Sequence, residues 1–511
     1  MSSIRSFSST LLLALLPLGF LIVMVVAPLV ALAFYDGSAW GGVLRDDYMQ
    51  HLILWTVFQA LATCVLAGIL GVPAAWVLAR LDFRGRALVL RLLMLPFVMP
   101  TLVAGMGVLA LFGAHGILAS GWQDTPWLLI YGNVFFNLPV LVRSAYQGFV
   151  RVPQARLLSA QSLGADAWRR FVWVEWPVVR AWVAGGACLV FLYCFSGFGL
   201  ALLLGGERFA TVEVEIYRLV AYELDMARAS VLVWLVLAAT AAAGGLYAYW
   251  SKRVAVDKSV SSLPPRAPVR AWEKWLTTTV LAMLVLCCLL PLAAVWLKAA
   301  AAGSSWAVLL EAQTWAAAWN TIRFSAAAVA AATVLGVLYA AAARQMAWLR
   351  ALMFLPFMVS PVCIAFGVLL LYPQWTASLW LLTATYALLA YPFVAKDVLA
   401  AWDGLPKDYA AAARTMGANG FQTACYVTAP LLKPALRRGL TLASATCIGE
   451  FAATLFLSRP EWQTLTTLIY DYLGRAGADN YGRAMVLTAV LTALALAAFL
   501  LVDEAEGQKA V

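Results

Sequence analysis

Long stretches without a charged side chain constrain this sequence more than any other feature. Residues 6–35, 48–79, 92–123, 181–206, 229–251, 275–297, 324–343, 351–395 and 484–502 contain no Asp, Glu, Lys or Arg. A helix that crosses a bilayer needs about 20 consecutive apolar residues, and these runs are about that long or longer. Only 12% of all residues are charged, whereas ordinary soluble domains have about 25%. The sequence therefore predicts an all-α polytopic membrane protein.

The chain also contains an internal repeat at a separation of 253 positions. At this separation Pro139, Pro153, Gly164, Pro177, Cys194 and Phe198 recur as Pro392, Pro406, Gly417, Pro430, Cys447 and Phe451. Upstream motifs recur with other separations: Leu-Gly-Val at 70–72 returns at 335–337, and Leu-Pro-Phe at 95–97 returns at 355–357. Agreement at so many glycine and proline positions indicates a tandem duplication.

We predict about twelve transmembrane helices, divided equally between two halves. Their approximate limits are 9–35, 52–79, 88–113, 126–149, 180–204 and 228–250, then 276–299, 317–343, 350–372, 377–400, 434–457 and 484–502. Arginine clusters beside the short loops after the second and fourth spans, which places those loops and both termini in the cytoplasm. The predicted domains are residues 1–250 and 276–511, two parallel repeats joined by a basic, proline-containing cytoplasmic linker at 251–275.

One cytoplasmic loop in each half carries the densest part of the repeat. We name residues 151–178 loop A and residues 403–431 loop B. Helix-forming residues dominate positions 153–167 of loop A, Gly164 interrupts them, and Pro177 stands where the next span begins. This pattern predicts a short helix, a glycine turn and a second short helix along the membrane face. Small residues in both loops would let another backbone pack closely; the alternative is an ordinary connector whose Gly and Pro serve only turn geometry.

Both loops resemble the EAA motif of ABC-importer permeases. In that motif Glu-Ala-Ala is followed by a glycine after three residues and, further on, by an Ile-x-Leu-Pro segment. Matching positions are Ala160, Gly164 and Pro177 in loop A and Ala412, Ala413, Gly417 and Pro430 in loop B. Neither loop has the leading Glu, because Leu158 and Ala411 occupy its position.

The resemblance implies a fold and a set of partners. It implies that the chain forms two type I ABC-importer permease repeats and is a translocation subunit, not an enzyme. In that family the loop is a coupling helix that docks on a separate ATPase subunit. The implied partners are two ATP-binding subunits, a periplasmic substrate-binding protein and the lipid bilayer of the bacterial inner membrane. In agreement with a separate energy source, the sequence contains no Gly-x-x-x-x-Gly-Lys-Ser/Thr phosphate-binding loop.

The resemblance covers nearly the whole chain and is closest to one branch of these importers. Two fused permease domains of this length resemble the thiamine/iron(III) branch. Within that branch, residues 134–139, 171–177 and 213–217 are similar to permeases for thiamine. The branch implies a pathway for thiamine or thiamine phosphates, with iron(III) or another small ion as the alternative substrate.

The fifth predicted span of each half contains the candidate pathway residues. At the repeat separation Ser196 and Gly197 correspond to Gly449 and Glu450, so the second half has a carboxylate where the first half has glycine. A carboxylate inside a bilayer is costly unless it is paired or hydrated, which makes Glu450 a candidate for contact with a cation. The alternative is a structural hydrogen bond to a neighbouring helix.

Other kinds of site find little support in the sequence. Most of the 8 cysteines lie in apolar runs, none forms Cys-x-x-Cys, and the 2 histidines are far apart, so we expect no catalytic residue, metal or cofactor. The net charge of +10 is concentrated beside the spans, which indicates membrane orientation and no nucleic-acid partner. A secondary transporter is a less favoured alternative, because it would not need a repeated coupling loop.

Overall fold

The computed structural model of the protein describes residues 14–33, 35, 39–118, 121–123, 125–206, 208–253, 263–353, 355–375 and 378–507. Residues 9–13 and 34 of the predicted first span, and residues 254–262 of the predicted linker, lie outside the described residues. Within these ranges the regular structure is helical apart from one isolated backbone pairing between Leu81 and Arg266. The predicted all-α fold is therefore confirmed.

The chain divides into two compact units. Unit A is Gly37–Ala301, and unit B is Met1–Asp36 together with Ala302–Val511. These units differ from the predicted domains 1–250 and 276–511 in the placement of one helix each. Helix Ala14–Leu32 belongs to unit B, and the helical segment Ala271–Ala300 belongs to unit A. The first helix of each sequence half thus packs with the other half.

A repeated glycine contact explains this exchange. In unit A, a Cβ atom on Gly107 would lie 2.6 Å from the carbonyl oxygen of Pro291. In unit B, a Cβ atom on Gly367 would lie 2.9 Å from Cβ of Pro28. At both places the exchanged helix approaches the third-span helix so closely that only glycine fits. In unit B the Tyr372 hydroxyl also donates to the carbonyl of Val23 at 2.9 Å.

Unit A is built from one long helix and its partners. Its α-helices are Trp40–Arg45, Asp47–Arg80, Arg86–Leu92, Leu95–Val98, Thr101–Phe112, Pro126–Val150, Gln154–Ser162, Ala167–Arg170, Trp176–Phe195, Phe198–Leu204, Val212–Arg218, Met226–Arg253, Ala271–Leu284 and Leu290–Ala300. Turns of π-helix occupy Phe171–Glu175, Leu219–Glu223 and Val285–Leu289. Helix Asp47–Arg80, with 34 residues, is about 51 Å long at 1.5 Å per residue. It therefore extends well beyond a hydrocarbon core of about 30 Å.

Unit B repeats this plan. Its α-helices are Ala14–Leu32, which contains a π-helical turn at Ile22–Val26, then Ala312–Gln345, Ala347–Leu352, Leu355–Met358, Pro361–Leu371, Leu379–Gly404, Lys407–Thr415, Gly420–Thr423, Ala429–Ile448, Ala452–Leu457, Leu465–Gly474 and Ala478–Gly507. Turns of 3-10 helix lie at Gly303–Leu310, Pro373–Trp375 and Pro460–Trp462, and a π-helical turn lies at Ala424–Thr428. Helix Ala312–Gln345 again has 34 residues.

Fewer helices are long enough to cross a membrane than the twelve predicted. In the described part of the chain 9 helices meet the length and composition of a span, and a tenth is a pair, Arg86–Phe97 and Thr101–Phe112, bent by 101°. The bend lies at Met99, which is extended because a proline follows it. The predicted spans 180–204, 350–372 and 434–457 are also interrupted, each ending in a short helix: Phe198–Leu204, Pro361–Leu371 and Ala452–Leu457.

The linker is shorter than predicted, because helices occupy residues 251–253 and 271–275 of the predicted range. Its described part runs alongside the end of helix Asp47–Arg80. The Asp82 amide donates to the carbonyl of Arg266 at 2.7 Å, and the Arg266 amide donates to the carbonyl of Arg80 at 3.1 Å. Arg266 also pairs with Glu273 at 2.5 Å. These contacts tie the linker to unit A.

The Leu-Gly-Val repeat marks a helix crossing in each unit. A Cβ atom on Gly71 would lie 3.1 Å from Cδ2 of Leu141, and one on Gly336 would lie 2.8 Å from Cβ of Val394. Leu141 and Val394 correspond at the repeat separation of 253. The duplicated sequence thus specifies the same close crossing of the second and fourth helices twice.

Substitution at this crossing provides a test of the packing. Gly336→Ala forces the two helices of unit B apart and should lower the free energy of unfolding by about 1–3 kcal/mol. Gly68→Ala is the control, because no atom lies within 4 Å of the added Cβ. There the more favourable helix propensity of alanine should stabilise by up to about 1 kcal/mol. Thermal unfolding in detergent measures both, and equal midpoints for the two variants would contradict the crossing.

Candidate functional site

Loop A is a helix, a glycine turn and a second helix, as its sequence pattern predicts. Helix Gln154–Ser162 ends before Gly164, whose φ is +79°. The Ala165 amide donates to the carbonyl of Ala160 and the Gly164 amide to that of Gln161, both at 3.0 Å. This double hydrogen bond is the Schellman arrangement, which satisfies the last carbonyls of a helix and places its glycine in the left-handed region.

Loop B has the same geometry. Helix Lys407–Thr415 ends before Gly417, whose φ is +88°. The Ala418 amide donates to the carbonyl of Ala413 at 3.0 Å, and the Gly417 amide donates to that of Arg414 at the same distance. The two most recognisable positions of the motif, the second alanine and the glycine, are therefore the two ends of one helix-terminating turn.

The glycines are needed for backbone conformation and not for packing inside the chain. No atom lies within 4 Å of a Cβ built on Gly164 or Gly417. The expected close approach of another backbone is therefore not made by the described residues of this chain. Ala412 is exposed, Ala160 and Ala413 are half-buried, and Pro177 and Pro430 are exposed at the first turn of the following helices.

Both loops expose apolar side chains at matching positions. Leu163 is 88% exposed and its counterpart Met416 is 89% exposed. Two further positions are exposed in both loops: Trp168 corresponds to Phe421, and Trp173 corresponds to Tyr426, at the repeat separation of 253. Trp168 lines an apolar groove together with Gly68 and Pro73, whereas Leu163 is not part of that groove. The residue before the turn glycine is thus a free apolar side chain on each loop.

The fifth span of unit A is broken at Ser196 and Gly197, which we name break A. Helix Trp176–Phe195 stops there, and helix Phe198–Leu204 follows. The Ser196 hydroxyl donates to the carbonyl of Leu192 at 2.7 Å. A Cβ atom on Gly197 would lie 2.6 Å from the carbonyl oxygen of Tyr193, so only glycine fits at this position.

Unit B has the corresponding interruption at residues 449–451, which we name break B. The prediction that Glu450 lies inside a continuous span is wrong. Glu450 lies between helices Ala429–Ile448 and Ala452–Leu457. Its carboxylate accepts a hydrogen bond from the Ala453 amide at 2.9 Å. Its carbonyl accepts from the hydroxyls of Thr454 at 2.9 Å and Thr466 at 3.2 Å. The carboxylate therefore caps a helix and is half-buried.

Comparison with known proteins identifies the kind of protein that has this architecture. Residues 67–256 and 332–503 each match the family described as binding-protein-dependent transport system inner membrane component. The chain belongs to this family. The two matched ranges confirm that it is a fused permease with two repeats, a multi-pass protein of the inner membrane.

This permease is similar to two thiamine permeases over nearly its full length and to a sulfate permease over part of it. It is 27% identical over 499 residues to the thiamine transport system permease protein ThiP of Salmonella typhimurium, covering 93% of this chain and 92% of the relative. It is 28% identical over 521 residues to the protein of the same name in Brucella abortus, covering 97% and 95%. It is 30% identical over 214 residues to the sulfate transport system permease protein CysW of Synechocystis, covering 40% and 78%.

An ion pair that sequence reasoning missed ties loop A of the permease to the second helix. Arg80 Nε lies 2.7 Å from Glu175 Oε1, and both side chains are buried. Trp76 donates to Glu175 Oε2 at 3.0 Å, and Arg80 Nη2 donates to the carbonyl of Phe149 at 3.1 Å. Glu175 corresponds to Thr428 in loop B, so this pair is confined to the first repeat. Its signal in the sequence is an acid directly before the motif's Trp-Pro.

A buried amide network lies next to break A and was also missed. Gln59 Nε2 donates to the carbonyl of Cys194 at 3.0 Å, and Gln59 Oε1 accepts from Asn133 Nδ2 at 2.7 Å. Asn137 Nδ2 donates to the carbonyl of Asn133 at 3.0 Å. Unit B has Tyr386 in place of Asn133, and its hydroxyl is hydrogen-bonded to that of Thr454. The two breaks therefore have chemically different surroundings.

The Arg80–Glu175 pair generates a prediction on stability. Glu175→Gln removes the charge that balances a buried guanidinium and should lower the free energy of unfolding by about 3–5 kcal/mol. Asp471→Asn is the control, because Asp471 forms a pair with Arg475 at 2.7 Å in which both side chains are more than 40% exposed. That change should cost less than about 1 kcal/mol. Thermal unfolding in detergent compares them, and a similarly small effect for both would contradict a structural role for the buried pair.

Proposed function

We propose that the chain is the translocation subunit of a binding-protein-dependent ABC importer for thiamine or thiamine phosphates. In this proposal each loop docks on one of two separate ATP-binding subunits, and a periplasmic binding protein delivers the substrate. Both termini and the linker lie in the cytoplasm, as the distribution of basic residues predicts. The two sequence repeats, residues 1–250 and 276–511, supply equivalent parts of the pathway.

The observation that carries this proposal is the duplicated loop with an exposed apolar side chain before its turn glycine. An isolated exposed Leu or Met needs no explanation. Leu163 and Met416, however, occupy the same position of the same turn in both repeats and are almost fully exposed. A pocket on each of two identical ATPase subunits would bury both. Burial of one such side chain contributes about 1.5–3 kcal/mol.

This contact leads to a coupling prediction. The double variant with Leu163→Ser and Met416→Ser should keep its fold, since both side chains are exposed, but should bind ATPase subunits at least about tenfold more weakly. Leu310→Ser is the control, because Leu310 is 87% exposed and lies outside both loops. Co-purification of ATPase subunits and substrate-stimulated ATP hydrolysis in proteoliposomes are the measurements.

Wild-type binding and hydrolysis in the double variant would rule out docking through these residues. Uptake by the permease alone, without ATPase subunits or ATP, would instead support a secondary transporter. The positive outcome is uptake that requires the permease, the ATPase and the binding protein together.

The substrate part of the proposal is supported by two observations. The relatives that this chain matches over nearly their full length are thiamine permeases by name. In addition, break B carries the carboxylate of Glu450, and thiamine has a permanently cationic thiazolium ring. In a poorly hydrated pathway a carboxylate attracts such a cation far more strongly than in water, because the effective dielectric constant is lower.

Charge removal at Glu450 tests this. Glu450→Gln keeps an oxygen that can accept from the Ala453 amide but removes the charge, so thiamine uptake should fall by about tenfold or more with little loss of folded protein. Glu461→Gln is the control, an exposed acid of the same unit that lies outside break B. Wild-type uptake in the Glu450→Gln variant would assign Glu450 to helix capping alone. Uptake of iron(III) or sulfate but not thiamine by the wild type would overturn the substrate assignment.

A further inference from the structure

A second buried carboxylate follows break A. Glu213 lies on helix Val212–Arg218 and is 0% exposed. No other role described above requires an acid at this position. A carboxylate in the membrane-embedded part of a transporter is a candidate for contact with a transported ion.

The helix that carries Glu213 occupies the same place in unit A as helix Leu465–Gly474 occupies in unit B. The first amide of each helix donates to a threonine hydroxyl on the second-span helix: Val212 N donates to Thr56 Oγ1 at 3.0 Å, and Leu465 N donates to Thr321 Oγ1 at 2.9 Å. An aromatic contact with the segment after each break is also repeated. The ring centroids are 5.6 Å apart for Phe198 and Tyr217 and 5.4 Å apart for Phe451 and Tyr470.

This equivalence places Glu213 next to break A. At the repeat separation Glu213 corresponds to Thr466. The Thr466 hydroxyl donates to the backbone carbonyl of Glu450 at 3.2 Å, so its position on the helix is directly beside break B. The equivalence of the two helices therefore assigns Glu213 a place beside Gly197, the counterpart of Glu450.

Steric constraint explains why the acid is on a different helix in unit A. Gly197 has no room for a Cβ atom, because the carbonyl oxygen of Tyr193 would be 2.6 Å away. A carboxylate beside break A must therefore come from the neighbouring helix, where unit B has only the short side chain of Thr466. With Glu213 assigned this place, each unit has one carboxylate beside the break in its fifth span.

We propose that Glu213 is the pathway carboxylate of unit A and contacts an organic cation during transport, as Glu450 does in unit B. This inference rests on the proposed function, since it takes thiamine as the transported cation.

Glu215, on the same helix, offers a matched contrast. It is also buried, but its carboxylate accepts from the Tyr48 hydroxyl at 2.9 Å and lies 3.8 Å from Arg218. The Glu215 carboxylate is thus directed at Tyr48 and Arg218, and we assign it no contact with the transported cation. The neutral Gln isostere at Glu215 can still accept from Tyr48, so thiamine transport should survive there.

The experiment compares Glu213→Gln, Glu213→Asp and Glu215→Gln in proteoliposomes that contain the ATPase subunits and the binding protein. Initial rates of thiamine uptake are normalised to folded permease, measured by gel filtration. Glu213→Gln keeps the shape and loses the charge, whereas Glu213→Asp keeps the charge and is shorter. If Glu213 supplies a charge to the pathway, Glu213→Asp should take up thiamine faster than Glu213→Gln. The uptake rate of Glu213→Gln should be about tenfold or more below that of the wild type. A structural hydrogen bond predicts the opposite order.

An uptake rate for Glu213→Gln that equals or exceeds the rate for Glu213→Asp would overturn the inference. A loss of uptake in Glu215→Gln as large as the loss in Glu213→Gln would also overturn it. If Glu213→Gln yields little folded protein, Glu213→Thr is tested in its place, because Thr466 occupies the equivalent position in unit B. Thiamine uptake at the wild-type rate in Glu213→Thr would also overturn the inference. Failure of the proposed function itself is a separate result: the wild-type permease would take up no thiamine.

Discussion

The requirement that backbone amides and carbonyls be hydrogen-bonded inside a bilayer governs this structure. Continuous helices such as Asp47–Arg80 meet the requirement by themselves, but the fifth span of each unit does not continue. At break B, side chains supply the missing partners: the Glu450 carboxylate accepts from Ala453 N, and Thr454 and Thr466 donate to the carbonyl of Glu450. Breaking a span therefore concentrates polar groups at one level, which is what a pathway for a charged or polar solute needs.

Close helix approach at glycine is the second constraint, and it is repeated in both units. Gly71 and Gly336 hold the second helix against the fourth, and Gly107 and Gly367 hold the third against an exchanged first helix. Helices in a membrane associate through packing more than through hydrophobic burial, so small residues decide which helices can meet. The exchange of first helices follows from these contacts, so that each unit contains one helix from the other sequence half.

Duplication has left the two halves alike in backbone and different in charge. Loops A and B end their first helices with the same turn at Gly164 and Gly417. Loop A alone is tied to the second helix by the buried Arg80–Glu175 pair, while loop B has Thr428 at the position of Glu175. Glu450 also has no acidic counterpart at its own position, because Gly197 corresponds to it in unit A. Loops of the same form are therefore combined with an interior that differs between the two units.

The sequence by itself determined the helical membrane class, the duplication and the helix–glycine–helix form of both loops, because hydropathy, register and turn chemistry are local properties. It did not determine where spans break or which helices pack together. Glu450 looked like an acid inside a span, and only the structure shows it at a helix start; Arg80 and Glu175 are 95 positions apart and meet only through tertiary packing. The exchanged first helices likewise depend on contacts such as Gly367 with Pro28, more than 300 residues apart. Such pairings arise from steric fit between distant segments, which no local pattern contains.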